Sequence, residues 1–220
     1  MKICSIGDLH GIYNEVVDGK NKSIILPSAD ILIIAGDACN IGSVDDVLLF
    51  NKWLQDIQAF DIFKHIIFVA GNHDRLFEYD KNLARNFLDK RLLYLEDELV
   101  EIDGIKFYGT PWQLPFNNWA FNIPEDKLAD KFARIPEGID ILITHSPPYG
   151  IMDSTPRNFK LGSKSLLDRV YKVRPKFHCF GHIHHGYGAY KDKDYDIQFY
   201  NVSLLNEAYA LANKPIIFEI

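Results

Sequence analysis

Nothing in this sequence marks a disulfide-stabilised secreted protein. Its three cysteines, Cys4, Cys39 and Cys179, are odd in number and have no CxxC spacing, and each sits in or beside an apolar run. That is the setting of buried free thiols, and it suggests a reducing compartment. No apolar run approaches the roughly 18 residues that a membrane-crossing helix needs. The opening MKICSIGDLHG has one lysine, a very short apolar run and then charge, unlike a leader peptide. The expectation is a cytoplasmic protein that engages no membrane. Positive charge is also scarce: 24 Lys and Arg against 30 Asp and Glu give a formal charge of −6. This disfavours a stable nucleic-acid complex. No linker rich in Pro, Ser or Gly divides the chain and no repeat recurs, so residues 1–220 are read as a single domain. Oligomeric state is left open.

What is present is apolar sequence, 47% of the chain, in short blocks. Ile31 to Ala35, Ile66 to Ala70, Ile105 to Gly109, Ile139 to Thr144 and Phe177 to Phe180 read as strands, several of them buried on both faces. Val44 to Ile57 carries Val44, Val47, Leu48, Trp53, Leu54 and Ile57 at helical spacing, with Ser43 as a cap and Asp45 and Asp46 in the first turn. Leu83 to Leu88 and Ser165 to Val173 are further helical stretches, the latter stopped by Pro175. Glu98 to Ile102 and Ile105 to Gly109 flank Asp103-Gly104, a strong hairpin signal. Short runs at Phe199 to Val202 and Ile216 to Ile220 add strand without room for long helices. The pattern is an α/β fold with two packed sheets and helices outside them.

Polar residues collect where the strands end. Asp8 and His10 follow the first run and Asp37 the second. Asn72, His73 and Asp74 follow the third, His145 a fourth, and His182, His184 and His185 a fifth. Six of the eight histidines stand in these loops, leaving His65 and His178 as structural residues. Ligand sites of α/β folds gather at such strand ends, and buried imidazoles and carboxylates are costly unless paired or metal-bound. Nitrogen and oxygen donors without thiolate suit Mn²⁺, with Fe or Zn²⁺ as alternatives, better than Mg²⁺ or Ca²⁺. Seven candidate ligands are too many for one site. Two divalent ions bridged by a carboxylate would accommodate them. Two such ions outweigh the charge of Asp8 and Asp37, so the centre should attract phosphate. Asn72 is the weakest member, because amides bind metals poorly and often cap turns.

In order, GDLHG, GD, GNHD, THS and GHIH resemble the signature of the calcineurin-like metallophosphoesterase superfamily (DxH, GD, GNH[DE], H, GHxH). The resemblance covers essentially the whole chain. It implies a four-layer α/β/β/α sandwich, two mixed β-sheets flanked by helices, which is the metallo-dependent phosphatase fold. It further implies that Asp8, His10 and His184 hold one metal, that Asn72, His145 and His182 hold the other, and that Asp37 bridges them. A hydroxide held between the metals would attack phosphorus, His73 would protonate the leaving alkoxide, and Asp74 would orient the His73 ring.

FYGTPWQ, the WAF after it, ITHSPPYGIMD, KFHCFGHIHHGYG and YNVSLLNEAYALANKPIIFEI look like the small metallophosphoesterase-domain proteins, whose vertebrate members hydrolyse cyclic nucleotides and related phosphodiesters. That implies a small phosphate ester or nucleotide as substrate. Trp112 and Phe116 are candidates to stack on a base. Tyr149, His185 and Tyr187 are candidate substrate contacts. Asn40 is a candidate donor to a phosphate oxygen, with a helix-start role as the alternative. Rival readings are a phosphomonoesterase, a nuclease, and a non-catalytic scaffold.

Overall fold

The computed structural model describes residues 1–17, 20–59 and 61–220. Its elements run β1 (Lys2–Ile6), β2 (Asn14–Val17), β3 (Lys20–Ser23), β4 (Ile31–Ala35), α1 (Val44–Gln58), β5 (His65–Val69), α2 (Arg75–Tyr79), α3 (Lys81–Phe87), β6 (Leu92–Tyr94) and β7 (Glu98–Ile102). They continue as β8 (Ile105–Thr110), α4 (Glu125–Phe132), β9 (Ile141–Thr144), α5 (Lys164–Val173), β10 (Phe177–Phe180), a 3₁₀ turn at His184–Gly186, β11 (Gly188–Asp192), β12 (Ile197–Asn201) and β13 (Ile216–Glu219). One sheet has the order β13-β1-β4-β5-β6 and the other β11-β12-β10-β9-β8-β7, while β2 and β3 pair separately. In the first sheet β1, β4, β5 and β6 are parallel, with β13 antiparallel at the edge. In the second, β8, β9, β10 and β12 are parallel between antiparallel β7 and β11.

The two-residue period of β4 sorts its side chains between two cores. Ile31, Ile33 and Ala35 pack between the sheets with Ile141, Ile143 and Cys179. Leu32 and Ile34 point the other way, into a cluster with Phe50 and Leu54 of α1. Beyond the second sheet, Leu142, Phe180 and Phe199 meet Leu128 and Phe132 of α4 and Leu166 and Val170 of α5. The layers are therefore α/β/β/α, as the sequence implied. Strands buried on both sides explain the uninterrupted apolar runs.

Local chemistry fixes several element ends. Ser43 caps α1 in a reciprocal box with Asp46, its Oγ accepting from the Asp46 N–H at 3.2 Å and its own N–H donating to the Asp46 carboxylate at 3.1 Å. Such a cap contributes on the order of 1 kcal/mol. The buried stripe of α1 is Val47, Phe50, Trp53, Leu54 and Ile57; Val44 and Leu48, expected to join it, are exposed. Asp103 and Gly104 both take left-handed φ, 50° and 80°, as the tight turn between β7 and β8 requires. Besides β2 and β3, three elements lay outside the sequence reading: α2, α4 and β11. They are short and polar, with only Phe77 buried on α2 and only Leu128 and Phe132 on α4. Among the described residues no helix is long and apolar enough to cross a membrane.

Candidate metal centre

The parallel strands β1, β4, β5, β9 and β10 all end at one edge, and their following loops carry Asp8, Asp37, Asn72, His145 and His182. Interloop hydrogen bonds draw these loops together. Asp8 N–H donates to the Gly36 carbonyl at 3.0 Å, and Gly181 N–H to that of His145 at 2.8 Å. Across the two sheets, His182 N–H donates to both Asp8 oxygens at 3.0 and 3.1 Å. Asp8, His10, Asp37 and His182 adopt left-handed φ of 53°, 46°, 52° and 67°. Side-chain-bearing residues enter that region at a cost of about 1–2 kcal/mol each, and clustered strain of this kind marks functional sites. Two glycines make room: a Cβ on Gly36 would strike the His145 ring, and one on Gly181 would strike the Asp8 carboxylate.

The side chains then converge. His145 Nε2 lies 3.3 Å from Asp37 Oδ2, His10 Nε2 3.6 Å from the same oxygen, and His184 Nε2 3.5 Å from Asp8 Oδ1. Asn72 Oδ1 is 3.0 Å from His145 Nε2. Three overlapping sets have ligand atoms within 4.8 Å of one another: Asp8, His10 and His184; His10, Asp37 and His73; Asp37, His145 and His182. All seven residues singled out as ligands come together. His73, set apart from them in the sequence reading, also stands within ligand range.

These donors fit a divalent metal. His145 Nδ1 faces the Ala35 carbonyl at 3.1 Å and His184 Nδ1 the Asn206 carbonyl at 3.0 Å. Each ring then turns Nε2 into the site, the arrangement that a carbonyl at the far ring nitrogen imposes on metal-binding histidines. His10 and His184 Nε2 approach to 3.3 Å, a pairing of ring nitrogens that a cation relieves. Without metal, charge is held by protons. Burial acts to raise the Asp8 carboxyl, but the His184 hydrogen bond and charge outweigh it and hold Asp8 at about 2. Burial likewise opposes ionisation of Asp37, and the charge and hydrogen bond of His145 prevail, pulling it below the usual carboxylate range. Burial presses His145 and His184 downward, yet Asp37 and Asp8 respectively raise each to about 9. Burial dominates at His10 and His182, which fall to about 4 and about 3. Asp37 and Asp8 thus favour positive charge on the ring atoms that face them, as they would favour a cation.

Above the cluster opens a cavity of ≈ 210 Å³. His10, Asp37, Asn72, His73, His182 and His184 line it together with Phe116, Thr155, Leu161, Ile183, Glu207 and Tyr209, and among the described residues no Lys or Arg does. Of the expected substrate contacts, Phe116 is in this wall. Asn40 lines the neighbouring groove with His10 and Tyr209 instead, and its carbonyl meets His73 Nδ1.

The other four stand off the cavity. Trp112 donates its indole N–H to Asp97 at 2.9 Å beneath the Lys131 ammonium, 3.6 Å from the ring centre, because a packed indole N–H needs an acceptor. Tyr149 lies beside Lys164, 5.2 Å from the ring centre. Tyr187 is tied through its hydroxyl to the Lys214 carbonyl at 2.8 Å. His185 offers Glu207 its backbone N–H at 3.0 Å, in the 3₁₀ turn that follows the cavity wall. Asp74 also departs from expectation. Its buried carboxylate accepts from Gly71, Cys39 and Ala38 N–H at 2.7, 2.8 and 3.3 Å rather than from the His73 ring, which the Asn40 carbonyl holds.

Thr155, Leu161, Ile183, Glu207 and Tyr209 were not singled out from the sequence, nor was Trp119, which stacks on His73 with ring centres 3.9 Å apart and planes at 24°. Of these only Trp119, a tryptophan in the polar stretch NNWAFN, carried a local signal.

Two mixed sheets between helices, with Asp, Asn and His loops gathered at the strand ends, define an α/β/β/α sandwich with a candidate metal centre at one edge. Residues 1–186 match the family model for calcineurin-like phosphoesterases, and the chain belongs to that family, whose chemistry is metal-dependent phosphoester hydrolysis. A UPF0046 protein of Caenorhabditis elegans is 36% identical over 89% of this chain and 55% of its own length. Human metallophosphoesterase domain-containing protein 1 is 35% identical over 91% of this chain and 68% of its own. The chain thus spans about half to two thirds of these relatives. One solved crystal structure superposes with a TM-score of 0.64 at 14% identity, over 91% of this chain and 89% of that one, a likeness of fold.

Proposed function

We propose that this chain hydrolyses a small phosphodiester, with a cyclic nucleotide as one candidate, at a binuclear divalent-metal centre. The observation that carries the binuclear reading is the position of Asp37 Oδ2, 3.6 Å from His10 Nε2 and 3.3 Å from His145 Nε2, at the junction of the two halves of the cluster. Asp8, His10 and His184 would hold one cation, Asn72, His145 and His182 the other, and Asp37 both. The wholly nitrogen and oxygen donor set suits Mn²⁺, with Fe or Zn²⁺ as alternatives. Such cations supply a water-derived nucleophile at neutral pH and neutralise charge on the phosphoryl oxygens.

The chain's own groups do the rest. His73 lines the cavity with Nδ1 committed to Asn40, so Nε2 is its nitrogen available to protonate a leaving oxygen. Charge on the cavity wall supports a diester over a monoester. Among the described residues, the cavity wall carries the Glu207 carboxylate and no Lys or Arg. A diester brings one negative charge to this wall, whereas a monoester dianion brings nearly two and finds no side-chain cation to meet it. Metal-reconstituted protein should be assayed against cyclic nucleotides, aryl phosphodiesters and phosphomonoesters. Diester turnover exceeding monoester turnover is the expected result. Turnover of monoesters alone would defeat the diester assignment, and bound metal without turnover of any ester would favour the scaffold reading.

A further inference from the structure

The ring of His73 is confined on three sides. Nδ1 meets the Asn40 carbonyl, the His10 ring stands edge-on with centres 4.4 Å apart and planes at 89°, and the Trp119 indole lies across one face. Trp119 is itself held in place. The next residue, Ala120, donates its N–H to the Asn72 carbonyl at 3.1 Å, fastening this loop to the one that carries His73. Arg75 donates to the Asn118 carbonyl at 2.7 Å, and its guanidinium carbon sits 5.1 Å from the centre of the Trp119 ring.

Ordinary packing does not account for this indole. Its neighbours Ala120 and Phe121 are fully buried members of an apolar cluster, and they anchor the loop. Trp119 belongs to none of the three apolar clusters; its aromatic and cationic contacts are His73 and Arg75. A general acid must keep its nitrogen within hydrogen-bond reach of the leaving oxygen, and a misplacement of about 1 Å can cost ~10²-fold in rate. One hydrogen bond at Nδ1 leaves an imidazole free to swing about that point. A flat partner parallel to the ring removes the swing.

We propose that Trp119 is a positioning residue for His73, fixing the imidazole plane so that Nε2 faces the leaving oxygen. This rests on His73 being the general acid, and the experiment separates the two claims. Wild type, His73→Ala, Trp119→Ala, Trp119→Phe and the His73→Ala/Trp119→Ala double variant are compared on two phosphodiesters. One expels p-nitrophenolate, which needs little protonation, and the other is a cyclic nucleotide expelling an alkoxide; bound metal is measured in each protein.

Trp119→Ala should lose ~10-fold or more in kcat on the alkoxide ester and no more than ~2-fold on the aryl ester, with KM and metal content unchanged. Trp119→Phe, which restores a flat face, should recover most of the loss. In the His73→Ala background the Trp119→Ala change should add nothing, as expected for two residues acting as a unit. Equal losses on both esters, a raised KM at constant kcat, or a Trp119→Ala effect that persists without His73 would overturn the positioning role while leaving the acid intact. A His73→Ala variant indifferent to the leaving group would remove the acid, and the positioning role with it. Should Trp119→Ala fold poorly, Trp119→Leu against Trp119→Phe makes the same comparison, with the flat face as the only large difference.

Discussion

The backbone N–H of His73 donates to Asp37 Oδ1 at 2.7 Å, so one loop orients the carboxylate that the others share. Oδ2 is thereby turned toward His10 and His145, at 3.6 and 3.3 Å. Asp37→Asn keeps the shape and an acceptor for the His73 N–H but removes the negative charge. Both metal equivalents should weaken together, and turnover should fall by at least ~100-fold. Elemental analysis after dialysis checks this. One equivalent retained at wild-type affinity would mean that Asp37 serves a single cation.

Gly181 tests whether the cradle around Asp8 is as tight as it looks. A Cβ there would fall well inside van der Waals contact with the Asp8 carboxylate and within 3.4 Å of the Ala35 carbonyl oxygen. The backbone φ at this position is not left-handed, so the effect of Gly181→Ala is steric rather than conformational. The variant should lose ~1–3 kcal/mol of stability, as overpacked sites do, and metal affinity should drop ~10-fold or more. Urea denaturation and metal titration read the two quantities separately. Wild-type affinity in this variant would mean that the Asp8 carboxylate can move aside at no cost.

The strands and the ligands were legible in the sequence for one shared reason. Chain buried on both faces must be apolar throughout, so Ile31–Ala35 stands out, and the first polar residue after it, Asp37, is where the chain leaves the sheet. The cavity walls were not legible. Tyr209 reaches the centre from the loop between β12 and β13, with ring centres 4.7 Å from His10 and 5.3 Å from His184, and no motif spacing records that contact. Trp112 shows the opposite failure. An aromatic in a proline-containing loop after a strand looks like a ligand platform, but its N–H is spent on Asp97 and its face on Lys131. Side-chain direction in loops depends on partners distant in sequence, and motif spacing carries no record of them.

Asp74 is the residue whose role the hydrogen bonding changes most. With burial first and the Asp37 charge second, its carboxyl is pushed up to about 6 despite the N–H groups of Gly71 and Cys39. The carboxylate ties the loop after β5 to the loop after β4 and makes no bond to the His73 ring. Asp74→Ala strands three buried backbone donors and should cost ~2–4 kcal/mol of stability. Its rate loss should be similar on good and poor leaving groups, unlike that of His73→Ala. Denaturant melts and a two-substrate assay check both points, and a loss confined to poor leaving groups would restore Asp74 as a partner of the acid.

His178 offers a pH test at a histidine outside the ligand set. It is fully buried, with Phe180 and Phe199 ring centres 5.0 and 5.7 Å away. Thr144 donates its hydroxyl proton to the Ser146 carbonyl at 2.7 Å, so His178 Nε2, 2.9 Å from that hydroxyl, must carry the proton between them. Nδ1 has no partner, and burial pushes the imidazole down from 6.5 to about 3. The folded protein thus refuses a proton that the unfolded chain accepts below pH 6.5. Since the unfolded state binds more protons, stability falls as pH drops from 6.5 toward 3, by up to ~1.4 kcal/mol per unit from this residue. His178→Gln keeps a donor for Thr144 and does not titrate. Any stability margin of wild type over this variant at pH 7 should therefore shrink by about 3 kcal/mol at pH 4, measured on metal-free protein by urea denaturation. A difference that stays constant across that range would mean that His178 takes up its proton within the fold.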